Sequence, residues 1–328
     1  MQKLKNSMIG KMIAAGLTSK EIDFLIYVSR FQDSTGKSYG IHYRELCKTM
    51  HMSYQEFYNA KVSLEEKGFI RCEKTHRTDH DITLLGNQEK ACLQDGYVNT
   101  NHNIFYQESF YRMKAGAKLL ALEMMKITYA GKGYFEIGVK KFYEKYTTLF
   151  GVTRRVMRRY LMELKAFFSV GIKNRKYYIA PKKAVYRKLG AKSESERLRE
   201  HCTEAILRRN RIKEEDEKKK RDVRELFQQY APEAAEKGKN LLLLMERAVE
   251  RSLIVLNQGE KRIRTKVLNG PLIHKLLKEE LNGAASDAIP QGNDTGHRSC
   301  QTMDSSGQRQ YDYKELERML LNTLPAGE

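Results

Sequence analysis

The chain has 328 residues, with 60 Lys and Arg against 41 Asp and Glu and a formal net charge of +19. That length is enough for two or three domains with cores of their own, and 41% of the residues are hydrophobic, as in a globular protein. No apolar run approaches the roughly 18 residues of a membrane-spanning helix, and the five cysteines form no CxxC pair. These features exclude a disulfide scaffold and predict a cytoplasmic protein with no signal peptide and no membrane partner.

Basic charge is concentrated in the middle of the chain. Residues 105–192 contain 21 Lys and Arg against 5 Asp and Glu, whereas residues 1–104 and 193–328 carry net charges of only +2 and +1. Such an excess repels itself in a folded domain unless a polyanion offsets it. The distribution therefore indicates a nucleic acid as the partner of the middle segment.

The first segment predicts a helix, a short strand, two further helices and a hairpin. Thr18 and Glu21 have the spacing of a capping box, which marks the start of the first helix. Ser53 has the position of a cap for the third helix, and Gly68 ends it. The hairpin follows as FIRCEK and ITLL around a polar tip.

The second segment repeats this plan. Helices are predicted over Ala117–Tyr129 and Val139–Phe150, and Thr153 caps the next helix as Ser53 does in the first segment. The stretch FFSVGIKNRKYYIAP then predicts two strands around a basic tip. One layout found twice indicates two copies of one structural unit.

The remainder is highly charged and mostly helical in composition. Residues 193–230 predict a solvent-exposed, charged connecting helix, because their apolar stripe lapses at KEEDEKKKRD. Residues 231–282 predict a small helical region, built from helices within 239–256 and 261–281. Residues 283–310 predict a disordered linker and 311–328 a short amphipathic helix.

The repeated order, with the phrase LEEKGFIRCEK at Leu64–Lys74, resembles the winged helix-turn-helix family. The expected fold is mostly α with small β-wings. It has two tandem winged-helix domains, at 1–98 and 99–192, followed by the helical C-terminal region and the disordered linker. In this family the second helix of the motif enters the major groove of DNA.

Two Arg-Arg pairs stand at the start of the helix that Thr153 caps. With that cap setting the phase, the apolar residues of the helix face the core and the arginines face outward. A guanidinium group binds the O6 and N7 atoms of guanine or clamps a phosphate. The predicted DNA-binding residues of this helix are Thr153, Arg154, Arg155, Arg158 and Arg159; the alternative is a merely solvated face.

The hairpin supplies a second predicted contact, with phosphate or the minor groove, through Lys173, Asn174, Arg175 and Lys176. The corresponding helix of the first segment carries Tyr54, Gln55, Tyr58 and Asn59 instead. The two amides are able to read adenine edges, whereas tyrosine-rich faces are common at protein interfaces. DNA contact and protein contact both remain open for this helix.

No pattern indicates catalysis, so we expect a non-enzyme with no cofactor and no metal. Cys72, His76 and His80 have a spacing that hints at zinc, but a fourth ligand is not evident and the residues fall on a hairpin. Gly36-Lys37-Ser38 resembles the end of a phosphate-binding loop, but Phe31 occupies the position of its first glycine.

The C-terminal stretch GQRQYDYKELERMLLNTL resembles the tails of DnaD-like primosomal and phage or plasmid replication proteins. The resemblance implies a helicase loader or another replisome protein as partner. The residues assigned to this contact are Tyr311, Asp312, Leu316, Glu317 and Leu320.

The sequence thus predicts a sequence-specific duplex-DNA-binding protein, foremost a replication initiator of a plasmid, phage or integrative element. A winged-helix transcription regulator that dimerises through its C-terminal helices is the alternative. A nucleoid or conjugation accessory protein is a third, weaker hypothesis.

Overall fold

The computed structural model describes residues 2–74, 79–130, 133–187, 193–210, 217–237, 239, 241–257 and 269–283. This part of the chain is mostly helical, with small antiparallel sheets. None of the helices within it combines the length and the apolar character needed to cross a bilayer.

The first half begins with a short strand and continues through the predicted helices and hairpin. Its elements are β1 (Lys3–Lys5), α1 (Asn6–Ala14), α2 (Ser19–Ser29), β2 (Lys37–His42), α3 (Tyr43–Thr49), α4 (Tyr54–Glu66), β3 (Ile70–Glu73), β4 (Asp79–Leu84), α5 (Glu89–Asp95) and β5 (Tyr97–Asn99). The predicted capping box is confirmed, because the Thr18 amide donates to the Glu21 carboxylate at 2.6 Å and the Glu21 amide donates to Thr18 Oγ1 at 3.3 Å. Ser53 caps α4 in the same way.

The second half starts with a 3-10 helix at Asn103–Tyr106. It continues with α6 (Glu108–Tyr111), α7 (Ala115–Ala130), β6 (Phe135–Gly138), α8 (Val139–Phe150), α9 (Arg154–Leu164), β7 (Phe168–Lys173) and β8 (Lys176–Pro181). Gly151 ends α8 in the left-handed conformation, with φ of +60°, which favours glycine at this position. The predicted cap of α9 is confirmed, since Thr153 Oγ1 accepts a hydrogen bond from the Val156 amide at 3.4 Å.

The two halves share one order of elements. Each has a helix, a strand, two helices and a hairpin, running from α2 to β4 and from α7 to β8. The sheets match as well, because the last strand is central in both orders, β2-β4-β3 and β6-β8-β7, and all pairs are antiparallel. The repeated layout predicted from the sequence is therefore present in the structure.

A single hydrophobic core runs through both halves. It extends from Leu4 to Val185, and α2 and α1 both pack against α7. The sequence places a domain boundary between residues 98 and 99, but no separate cores meet there. Strand β5 at this point pairs with β1, which ties the start of the first half to the beginning of the second.

The C-terminal helices form a second cluster of buried residues. They are α10 (Glu194–Arg209), α11 (Glu217–Glu236), α12 (Leu241–Asn257) and α13 (Gly270–Asn282). The prediction of one solvent-exposed helix over 193–230 was wrong. The structure has two helices there, and α10 buries Cys202, Ala205 and Ile206 while packing against β2 and α12.

Two arginines at the end of α10 explain the error. Arg208 Nε lies 2.9 Å from Asp79 Oδ1, and Arg209 Nη2 lies 2.6 Å from Asp81 Oδ1, both in β4. Arg209 also contacts the carboxylate of Glu246 in α12 at 2.9 Å. Side chains that read as solvated charges in the sequence are thus paired with buried carboxylates, which lets a charged helix pack against a sheet.

Several expectations lie outside the described residues. These are the linker and short helix predicted after residue 283, residues 261–268 of the helix predicted over 261–281, and the proposed contact residues Tyr311, Asp312, Leu316, Glu317 and Leu320.

Candidate nucleic-acid interface

Helix α9 is held in place by its apolar side. Met157, Leu161 and Leu164 are buried in the shared core. Tyr160 lies against Gly116 of α7, where an added Cβ would stand 2.3 Å from the tyrosine ring. The absence of a side chain at Gly116 therefore lets the two helices approach closely, and this contact fixes which side of α9 faces outward.

The four arginines of α9 are exposed, as the phase set by Thr153 predicts. Arg154, Arg155, Arg158 and Arg159 form no ion pair with any acidic residue in the part of the chain that the structure describes. Their positive charge is therefore not neutralised within the described fold. The face also lies at the start of the helix, where the unpaired backbone N–H groups attract anions.

Arg154 rests on an aromatic support that the sequence analysis missed. Its guanidinium carbon lies 4.5 Å from the ring centroid of Tyr143 in α8. The Tyr143 hydroxyl is hydrogen-bonded to the hydroxyl of Tyr177 in β8, with the oxygens 3.1 Å apart. Burial and this hydrogen bond raise the pKa of Tyr177 to about 12, so the Tyr177 hydroxyl is neutral at physiological pH.

The position of Tyr143 can be identified from the sequence. Tyr143 stands eleven residues before Arg154, as Tyr43 stands eleven residues before Tyr54. In both halves this tyrosine contacts the first residue of the following helix, since the rings of Tyr43 and Tyr54 have centroids 4.9 Å apart. Comparison of the two copies therefore identifies the position.

A groove of about 550 Å³ separates α9 from the hairpin of β7 and β8. Its lining combines cations with apolar side chains: Val139, Tyr143, Arg154, Arg155, Arg158, Leu161, Met162, Lys165, Val170, Ile172 and Tyr177. Met162 and Ile172 expose 58% and 65% of their surface. Such a lining suits a ligand that presents both anionic and apolar groups.

The hairpin tip is a two-residue turn between Lys173 and Lys176, which pair across the strands. Asn174 and Arg175 have φ of +48° and +59°, the left-handed values that a tight hairpin turn requires. Lys176 Nζ lies 2.7 Å from Glu136 Oε1, and this contact raises the pKa of Lys176. Lys173 and Arg175 are exposed and have no carboxylate partner among the described residues, so they carry the net positive charge of the tip.

The corresponding face of α4 is exposed but different in chemistry. Tyr54 exposes 51% of its surface, Gln55 and Asn59 are exposed, and Tyr58 is half-buried. Gln55 Nε2 donates to Asn59 Oδ1 at 2.9 Å, so each amide engages the other. The four residues predicted on α4 therefore lie on one surface, and α4 contributes no arginine to it.

Of the three residues with zinc-like spacing, only Cys72 and His80 lie within the described part of the chain. Cys72 Sγ lies 3.5 Å from His80 Nδ1, and burial raises the pKa of Cys72 to about 11 while lowering that of His80. His76 lies outside the described residues. The thiol is therefore protonated at physiological pH and is not an activated nucleophile.

Comparisons with family models, with curated proteins and with solved structures give no match for this chain.

Proposed function

We propose that each half is a winged helix-turn-helix module and that the second module binds duplex DNA. In this proposal α9 is the recognition helix and the hairpin of β7 and β8 is the wing. The observation that carries the proposal is the set of four exposed arginines without described ion-pair partners, placed at the capped start of α9 beside a basic hairpin tip.

In the proposed interface, α9 makes the base-specific contacts and the hairpin tip contacts the phosphates. Arg154 and Arg158 lie one helical turn apart near the start of α9, where a recognition helix meets base edges. Their planar guanidinium groups favour guanine in the major groove. The tip residues Lys173 and Arg175 hold phosphate, which adds affinity but no sequence information.

Selection of binding sites from a random duplex pool tests the proposal. A recognition helix that contacts bases is expected to enrich one motif, with guanines at the positions that the arginines contact. Affinity for the selected site should fall linearly with the logarithm of the salt concentration. Failure of the pool to enrich any motif, with equal affinity for all duplexes, would contradict sequence-specific reading.

Variants of the wing lysines test which charges of the hairpin tip contact phosphate. Lys173→Ala is expected to weaken all duplexes alike and to reduce the slope of the salt dependence by about one. The double variant Lys176→Ala/Glu136→Gln should have a smaller effect on the slope, because it removes a pair of opposite charges and leaves the net charge of the tip unchanged. The measurement is affinity against salt for selected and scrambled duplexes. Equal effects of the two variants would contradict the charge assignment at the tip.

Tyr143 is proposed to position Arg154. Tyr143→Leu is expected to weaken binding to the selected site by about 0.5–2 kcal/mol, the range of a cation–π contact, and to relax preference at one base pair. Tyr143→Phe retains the ring and serves as the matched control. Affinity for the selected site and its single-base variants is the readout, with thermal unfolding to verify the fold. Identical base preferences in the two variants would remove this role from Tyr143.

The cellular role that we propose is replication initiation on a plasmid, phage or integrative element. The support is the resemblance of Gly307–Leu324 to the tails of replication proteins. Recovery of a helicase loader or helicase with the full chain, and its loss when residues 308–324 are deleted, is the expected result. Retention of such a partner after the deletion would contradict the role of the tail.

A further inference from the structure

The first half has tyrosines at the positions that hold Arg154 and Arg158 in α9, and they form an aromatic surface that is half-buried at Tyr58 and exposed at Tyr54. With both helices counted from their caps, Tyr54 and Tyr58 of α4 correspond to Arg154 and Arg158. Tyr43 of α3 completes the surface, and we call these three residues the tyrosine face.

The rings of the tyrosine face form one continuous cluster. The centroids of Tyr43 and Tyr54 are 4.9 Å apart and those of Tyr54 and Tyr58 are 4.7 Å apart, both in edge-to-face geometry. Phe57 lies beneath them in the core, 5.7 Å from Tyr58. The cluster is therefore anchored from below, while Tyr54 at its centre keeps 51% of its surface exposed.

Cations lie beside two of the three rings, those of Tyr43 and Tyr58. Arg44 Nε donates to the Tyr43 hydroxyl at 3.0 Å, and its guanidinium carbon is 5.8 Å from the ring centroid. Lys61 Nζ is 5.9 Å from the ring centroid of Tyr58. The same nitrogen lies 3.7 Å from the carboxylate of Glu65. Lys74 is exposed directly after β3. The charge beside the aromatic surface is complementary to an anionic strand.

We propose that the tyrosine face binds the unpaired bases of single-stranded DNA. Aromatic rings interleaved with cations are the recurring chemistry of such sites, because every base has a π-face and every nucleotide carries a phosphate. A closed duplex hides its base faces within the stack, so exposed rings gain little from it. The choice of DNA over RNA rests on the proposed function of α9, since local strand opening beside a bound duplex would bring an unpaired strand of the same molecule to this face.

The direct test uses the full chain and a thymidine oligonucleotide that carries 5-iodouracil. Irradiation is expected to cross-link the strand to Tyr54 or Tyr58, mapped by mass spectrometry of the digested protein. A cross-link that maps only to the groove beside α9 would overturn the proposal. This measurement does not depend on any variant being correctly folded.

Substitutions supply the quantitative test. Tyr54→Ala should weaken single-strand binding about 5- to 150-fold, the range for loss of one stacked base, whereas Tyr54→Phe should retain it. Because Tyr54 is half exposed, neither change should disturb the fold, and thermal unfolding verifies this. Unchanged single-strand affinity in Tyr54→Ala would refute the proposal and favour a protein contact. Tighter binding of oligouridine than of oligothymidine would refute the assignment to DNA.

The double variant Arg154→Ala/Arg158→Ala separates the two sites. It should bind the selected duplex more weakly and with relaxed base preference. It should keep most of its affinity for the thymidine oligonucleotide. If α9 does not read DNA but the tyrosine face binds single strands, wild-type protein will cross-link at Tyr54 without selecting any duplex motif. If α9 reads DNA but the tyrosine face does not bind single strands, duplex selection will succeed and Tyr54→Ala will bind single strands as the wild type does.

Discussion

Replacing Lys118 by Met is expected to lower the free energy of unfolding by about 3–5 kcal/mol. Lys118 in α7 and Asp23 in α2 are 0% and 1% exposed at their side chains, and Lys118 Nζ lies 2.6 Å from both carboxylate oxygens. Burial raises the pKa of Asp23 and lowers that of Lys118, so each charge is stabilised chiefly by the other. Removal of one partner leaves a buried carboxylate without its cation. Urea-induced unfolding, followed by circular dichroism, measures the loss.

Two further variants identify the cause. The double variant Asp23→Leu/Lys118→Met is expected to recover most of the lost stability, because it removes both charges and keeps similar volumes. Lys140→Met is the matched control, since Lys140 is 92% exposed and pairs with Glu144 at 3.8 Å. It should change the free energy of unfolding by about 0.5 kcal/mol or less. A double variant as unstable as Lys118→Met would show that packing, rather than the unpaired charge, causes the loss.

The double variant Arg154→Ala/Arg158→Ala should weaken binding to the selected duplex by about 1–3 kcal/mol for each base that an arginine reads. In the proposed interface each guanidinium group would donate two parallel hydrogen bonds to a base, and neither a water molecule nor an alanine can replace them. Preference should relax at particular base pairs, which distinguishes this effect from a general loss of charge. Competition between the selected site and its single-base variants measures both quantities.

A control with the same loss of charge separates reading from electrostatics. Arg221 and Arg247 are exposed on the C-terminal helices α11 and α12. Arg221→Ala/Arg247→Ala should leave base preference unchanged. The recognition-helix assignment is untenable if the α9 variant remains folded and binds the selected site as the control does.

The sequence by itself determined the local structure. The caps at Thr18, Ser53 and Thr153 act on backbone amides three residues away, and such short-range bonds can be read from spacing. The two copies of one element order followed from the same signals. The outward phase of the arginines in α9 also followed, because a cap and an apolar stripe together define the faces of a helix.

Only the tertiary structure decided which charges face water. Lys118 counts toward the basic excess of residues 105–192 in the sequence, yet it lies in the core beside Asp23, 95 positions away. Arg208 and Arg209 are likewise paired with carboxylates more than a hundred residues earlier in the chain. Periodicity along one helix carries no information about a partner so distant in sequence, because the partner is chosen by how helices and sheets pack together. Such packing joined the two halves into one core and left the arginines of α9 without a described acidic partner.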